Sequence, residues 1–357
     1  MTTRRTFLAG GLAVVAGPHL PGDDRPELLD EIAGTAALGV LAEVHDPGRV
    51  WRGTAGVAEL GTTRPVRPDS RFRAGSVTKP FVATVVLQLA GERRLGLDDP
   101  LARHLPGVLP DAARITLRQL LQHTGGVPNY TNQPAFRSLL GSPEKLNALR
   151  FRTWTPAELI AYVHDVPLLF PPGSSWTYSN TGYLLLAMVI EHVTGRSYRD
   201  EVGRRVLRPL GLNDTRLPGA DPRIHGPHPH GYLPGAAGPL EITDLNPTVA
   251  GASGELVTTT ADLNRFLAAL LTGRLLRPAE LAEMLTPRVT GKDYDYGLGL
   301  MTRRRPDGVR LWGHGGDIFG YQAIVWSTAD GRHQVAAGAT PWGTGDLDAL
   351  FDRLALI

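Results

Sequence analysis

Apolar positions along the chain change their period twice. From Pro26 to about Ala37 they recur on one helical face. Val40–Val44 and Arg49–Leu60 then read as strands, parted by the turn signal Asp46-Pro47-Gly48. Phe72-Arg73-Ala74-Gly75 leads into a long apolar helix from Ser76 to about Arg94, carrying Phe81, Val82, Val85, Val86 and Leu89. Between about 116 and 287 helical periods dominate, at Thr116–His123, Thr155–Val163, Thr177–Val193, Thr260–Leu271 and Ala279–Leu285. Short strands return at Tyr296–Met301, Val309–Gly313, Tyr321–Trp326 and Gln334–Ala339. Asp346–Leu356 closes as a helix with Leu347, Leu350, Phe351 and Leu354 along one face. Strands at both ends of the chain predict one sheet built from both termini, with the helical middle as an insertion. The division is a discontinuous α/β sheet domain (25–115 and 288–357) and a mainly helical domain (116–287).

Residues 1–24 stand outside this pattern. Arg4-Arg5 precedes a mildly apolar, glycine-containing run from Ala9 to Gly17, the layout of a twin-arginine export signal. A run of about ten residues is too short to cross a bilayer core of ~30 Å. The expectation is a protein exported to the envelope or the medium, with no transmembrane anchor.

Composition narrows the chemistry. The 357 residues carry 37 basic and 35 acidic side chains, which gives no electrostatic case for nucleic acid as a partner. Cysteine is absent, excluding a disulfide scaffold, a thiolate nucleophile and cysteine-ligated metals. Lysine occurs only at 79, 145 and 292, so a catalytic lysine must be one of these. His123, His225, His228 and His230 lack the helical spacing of a zinc site, and no phosphate loop or dinucleotide fingerprint is present. Neither a metal nor a cofactor is expected.

The candidate chemistry starts at Ser76-Val77-Thr78-Lys79, a hydroxyl and an amine one helical turn apart on one face. A serine hydroxyl needs an adjacent base, and lysine serves only when burial or neighbouring cations keep it neutral. The start of a helix also offers free N–H groups to a developing oxyanion. Ser142-Pro143-Glu144-Lys145 has the same spacing, but its proline and glutamate are helix-cap grammar. Tyr178-Ser179-Asn180 pairs a phenol able to shuttle a proton with an amide able to hold a substrate or a side chain. Tyr130-Thr131-Asn132 repeats that pattern inside a Pro/Asn-rich stretch and reads as a turn. Finally, glycines flank His314 in Trp312-Gly313-His314-Gly315-Gly316-Asp317, which lets a ligand or another backbone approach; on a sheet edge it could pair an extended substrate.

Taken in order, Ser76-x-x-Lys79, Tyr178-x-Asn180 and His314-Gly315-Gly316 resemble the serine β-lactamase and penicillin-binding-protein superfamily, in its class C-like branch. Leu120-Leu121-Gln122-His123-Thr124-Gly125-Gly126 and Tyr296-Gly297-Leu298-Gly299-Leu300 fit the same branch. His228-Pro229-His230-Gly231-Tyr232-Leu233 is most similar to secreted actinobacterial D-alanyl-D-alanine carboxypeptidases. The resemblance implies an α+β fold, with an antiparallel sheet flanked by N- and C-terminal helices and a mostly helical inserted domain. It implies Ser76 as the acylated nucleophile, Lys79 and Tyr178 sharing its proton, and Asn180 fixing the substrate amide. His314 would support the site electrostatically, and the N–H groups of Ser76 and Asp317 would hold the oxyanion. The implied partners are a peptidoglycan peptide or other small substrate, and β-lactams as inhibitors or substrates. Esterase and β-lactamase activities belong to the same family, and a penicillin-binding sensor without turnover is the alternative of another class. Two departures bear on the substrate. Gly315 stands where the peptidases carry a carboxylate-binding threonine. Met301 stands where an arginine for that carboxylate is expected, although Arg303, Arg304 and Arg305 are close.

Overall fold

The computed structural model describes residues 23–356, so most of the export-signal reading lies outside the described residues. After helix α1 (Arg25–Thr35) come strands β1 (Ala37–Asp46), β2 (Arg49–Gly56) and β3 (Phe72–Gly75), then helix α2 (Thr78–Gly91). The long middle contains helix α3 (Asn180–Thr194), strands β4 (Tyr232–Gly235), β5 (Gly238–Glu241) and β6 (Leu256–Thr258), and helix α4 (Thr260–Leu271). Strands β7 (Asp295–Tyr296), β8 (Met301–Arg304), β9 (Arg310–Ile318), β10 (Tyr321–Thr328) and β11 (Gln334–Pro341) lead to helix α5 (Leu347–Leu356).

Seven strands form one antiparallel sheet in the order β2-β1-β11-β10-β9-β8-β7, so the N-terminal hairpin pairs with the last strand of the chain. Pro47 and Gly48, the latter at φ +78°, close the β1–β2 hairpin as proline and glycine do in a type II turn. Successive residues of a strand face opposite ways, and here both faces are covered. Ile324 and Trp326 of β10 meet Leu28, Ile32, Leu350 and Phe351 of α1 and α5. Ala323 and Val325 face the larger core with α2, α3 and α4. Helix α2 is buried almost all round, and Phe81 stacks on Phe266 at 3.6 Å. Truncating Phe81 to alanine should therefore destabilise the fold by about 3–5 kcal/mol. This burial makes α2 a rigid platform for whatever stands at its N-terminus.

The structure redraws several boundaries. Tyr296–Met301 is the tip of a hairpin instead of a strand: Gly297 N–H bonds the Leu300 carbonyl, and Gly299 takes φ +88° between β7 and β8. Helix α3 starts at Asn180 instead of Thr177, because Thr177 N–H and Ser179 N–H are both tied to His123. The hairpin β4–β5 lies inside a region read as helical. Strand β9 runs on to Ile318, which brings His314–Asp317 into the sheet. Because β8 pairs only with Arg310–Gly313, the following edge of β9 is left open. No helix among the described residues is long and apolar enough to cross a membrane.

Candidate active site

The strand–helix junction β3–α2 presents Ser76. Gly75, at φ +50°, makes the turn, and a Cβ there would fall 2.6–2.8 Å from the backbone of Asp317. A Cβ on Gly316 would fall 2.1 Å from the Ala74 carbonyl oxygen and 2.7 Å from the Ser76 nitrogen. Glycine at both positions thus allows the end of β9 to pass directly over the serine. Thr78, fully buried, donates to the Gly75 carbonyl at 2.7 Å and accepts from Leu256 N–H at 3.0 Å, fixing the junction from below.

Lys79 is completely buried, and its Nζ lies 2.9 Å from Ser76 Oγ, 2.8 Å from Asn180 Oδ1 and 2.7 Å from the Ser253 carbonyl oxygen. No carboxylate among the described residues pairs with it, and burial holds its amine well below the usual lysine range. Hydrogen counting then fixes the roles. A neutral amine has two N–H donors and one lone pair. Asn180 Oδ1 and the Ser253 carbonyl can only accept, so they take both donors. The lone pair is left facing the Ser76 hydroxyl.

The Tyr178 phenol also interacts with Ser76. Burial keeps its phenol well above the ordinary tyrosine range, and the Ser76 interaction offsets only part of that. The phenol therefore stays protonated. Neighbouring cations do not lower it, contrary to what proton shuttling by a phenolate would need; the Lys79 nitrogen, 4.8 Å from its ring centre, is the neutral amine.

The remaining sequence candidates divide. Asn180 and Asp317 line the same cleft as Ser76, whereas His314, Gly315 and Gly316 do not. His314 is fully buried behind the site, with its ring 6.4 Å from that of Tyr178. Burial, and secondly the charge Lys79 would carry, lower it to about 3, so it is neutral. Its Nδ1–H donates to the Gly315 carbonyl, and Nε2 accepts from Tyr296 Oη at 2.9 Å. His314 therefore packs the site and brings no charge to it. Beside it, two backbone donors converge. Ser76 N–H has no acceptor among the described residues. Asp317 alternates with the residue closing the β9–β10 hairpin, so its N–H turns away from β10, towards the serine.

Sequence reasoning passed over three groups. Ser253 acts through a carbonyl, which leaves no side-chain signature beyond the small-residue run Gly251–Gly254. Tyr130, read as part of a turn, is in one, yet it is also buried in the cleft wall and donates to the Val249 carbonyl at 2.7 Å. His123, weighed as a metal ligand and quoted in a family motif but given no role in the site, sits at φ +61° with its ring 4.3 Å from that of Tyr178. Its carbonyl accepts from Thr177 N–H at 3.1 Å and its Nδ1 from Ser179 N–H at 3.2 Å. It thus clasps the chain on both sides of the tyrosine. The arginines expected near a substrate carboxylate lie elsewhere: Arg303 pairs with Asp352 and stacks on Trp326, and Arg304 and Arg305 bond within their own loop.

A hydroxyl, a neutral amine and a phenol at a helix start, under the open edge of an antiparallel sheet, define the acyl-serine class of site on a β-lactamase-like fold. The chain belongs to the Beta-lactamase family, whose model matches residues 27–355. Its structure is similar to a D-stereospecific amidohydrolase from Streptomyces sp., with a TM-score of 0.86 and 38% identity, covering 92% of this chain and 96% of that one. It is also similar to a D-amino acid amidase from Ochrobactrum anthropi SV3, with a TM-score of 0.78 and 27% identity over 92% and 96% of the two chains. In sequence, Penicillin-binding protein 4* of Bacillus subtilis is 29% identical over 298 residues, 78% of this chain and 62% of that protein. The chain spans between 48% and 62% of the length of the first curated relatives it matches.

Proposed function

We propose that the protein hydrolyses amides or esters of D-amino acids through an acyl-Ser76 intermediate. The observation that carries the reading is the buried Lys79 amine, without a counter-ion, 2.9 Å from Ser76 Oγ. In the first step Ser76 Oγ bonds to the substrate carbonyl carbon and its proton passes to the Lys79 lone pair. The carbonyl electron pair moves to oxygen, between the N–H groups of Ser76 and Asp317. The tetrahedral species collapses as the carbon–nitrogen or carbon–oxygen bond breaks. The leaving group takes the Tyr178 proton, and Tyr178 recovers one from Lys79. Water then cleaves the acyl-serine by the same proton path in reverse.

D-alanyl-D-alanine carboxypeptidase activity, the finest expectation from sequence, finds less support than amidase activity. No lysine, arginine or histidine is among the residues lining the cleft, so a substrate ending in a carboxylate meets no cationic partner there. The similarity to a D-stereospecific amidohydrolase and a D-amino acid amidase favours the same choice. Export through Arg4-Arg5 is part of the proposal on sequence grounds, as is acylation by β-lactams on the resemblance to penicillin-binding proteins.

The test is mass spectrometry of the intact protein with a penicillin, alongside steady-state turnover of D-phenylalaninamide, D-phenylalanine methyl ester and a D-Ala-D-Ala peptide. An adduct on Ser76 with turnover of the amide or ester, both lost in Ser76→Ala, is the expected result. An adduct with no turnover of any substrate would establish a sensor instead, and faster turnover of the D-Ala-D-Ala peptide would restore the carboxypeptidase.

A further inference from the structure

The cleft that contains Ser76 has a volume of about 950 Å3 and apolar walls, among them Tyr130, Phe136, Val249 and Phe319. Its charged lining is of one sign: Asp317 at the end of β9, and Asp346 and Asp348 at the start of α5. Two of these have duties in the fold. Asp346 caps α5, accepting from Ala349 N–H at 3.0 Å, and Asp348 accepts from Gln322. The Asp317 side chain has neither a hydrogen-bond partner nor an ion pair among the described residues, and the residue is exposed at the cleft wall.

We infer that the Asp317 carboxylate, with Asp348 behind it, binds the free α-ammonium of the substrate's acyl residue and so selects amine-bearing substrates over N-blocked ones. The inference rests on the acyl-serine reading and adds to it which end of the substrate is read. Position is the first argument. The backbone N–H of Asp317 is one of the two oxyanion donors, so its side chain branches from the residue nearest the scissile carbonyl. An α-ammonium is two bonds from that carbonyl carbon, at the range where one residue can serve both groups. Charge is the second. Surrounding protein, and then the charge of Asp348, push Asp317 up to about 6, and burial followed by Asp346 raises Asp348. Facing acids with no cation in the cleft oppose each other in the empty site. A substrate ammonium relieves that opposition, whereas a substrate carboxylate would deepen it.

The decisive measurement is the ratio of kcat/KM for D-phenylalaninamide to that for N-acetyl-D-phenylalaninamide at pH 7, where an α-amino group of pKa about 7.7–8.0 is mostly protonated. Wild type should favour the free amine by at least about 10-fold, the range of a charge-assisted hydrogen bond. Asp317→Asn should bring the ratio close to one, and Asp348→Asn should lower it less. On wild type alone, D-phenylalaninol should inhibit at least about 10-fold better than its N-acetyl derivative, a readout that needs no variant to fold. A ratio near one in wild type, or a ratio unmoved by a folded Asp317→Asn protein, would overturn the inference and leave a Ser76 adduct untouched. Loss of the adduct itself would overturn the acyl-serine reading instead.

Discussion

The two Ser-x-x-Lys tetrads share a spacing and little else. At Ser142 the hydroxyl accepts from the backbone N–H of Lys145, capping a short helix, and the Lys145 amine turns away to the Ser138 carbonyl at an exposed surface. At Ser76 the amine itself lies against the hydroxyl, because the serine stands in the turn before α2 and the lysine points into the interior. The difference teaches that spacing only permits the pair. Burial without a counter-ion turns the amine into a base, and two obligate acceptors aim its lone pair. An exposed lysine keeps its proton and has nothing to accept with.

The largest effects should separate the tetrads outright. Ser76→Ala removes the nucleophile and should abolish acylation, read as loss of the penicillin adduct. Lys79→Ala should lower the acylation rate by roughly 10²–10⁴-fold, the contribution of a positioned base. Lys145→Ala should leave acylation as it is. Equal effects at the two lysines would show that burial is not what distinguishes them.

A pH profile sharpens the same contrast, and its sign follows from the direction of the shift. Burial lowers the Lys79 pKa, so the amine is neutral above the lowered value and protonated below it. With an N-acetylated amide, whose charge does not titrate, kcat/KM should rise through that value and level off well below pH 10. An ordinary solvent-exposed lysine as the base would demand a pH near ~10.4 for half the activity. A profile still climbing at pH 10 would mean that the base is an ordinary lysine.

His123 should give an intermediate effect. It holds Thr177 and Ser179 on either side of Tyr178, and burial keeps its imidazole neutral. His123→Ala should lower kcat by about 10–100-fold while the adduct on Ser76 still forms, because the phenol loses its brace and the nucleophile and amine do not. A rise in KM with kcat unchanged would place His123 in substrate binding instead.

Much of this was legible in the sequence because it lies in local patterns. Strands at both ends of the chain pointed to one sheet built from both termini, the family resemblance implied its antiparallel order and the α+β class, and the turn residues Pro47 and Gly48 marked its first hairpin. Ser76, Lys79, Tyr178 and Asn180 could be nominated because each carries a side chain with distinctive chemistry. What stayed hidden depends on contacts between distant segments. The Ser253 carbonyl has no residue-type signal, and Thr177–Ser179 looked helical because nothing local shows that His123 will take their N–H groups. The neutrality of His314 comes from its depth behind the site, which no spacing reveals.

The smallest effect tests the other tetrad on its own terms. Ser142 Oγ accepts from Lys145 N–H at 3.3 Å, with proline following the cap and Glu144 in the first turn. Ser142→Ala removes that acceptor and should destabilise the protein by about 0.5–2 kcal/mol, a Tm shift of at most about 2–4 °C, with kcat/KM unaltered. Restoring an acceptor with Ser142→Asp should recover the Tm, because a carboxylate caps the same N–H and complements the positive helix end. The corresponding exchange at Ser76 should rescue nothing, since an aspartate beside the Lys79 amine would pair with it and return it to the charged form. A protein in which Ser142→Ala also slowed turnover would show that this exposed turn is coupled to the cleft, and that the two tetrads differ by less than their surroundings indicate.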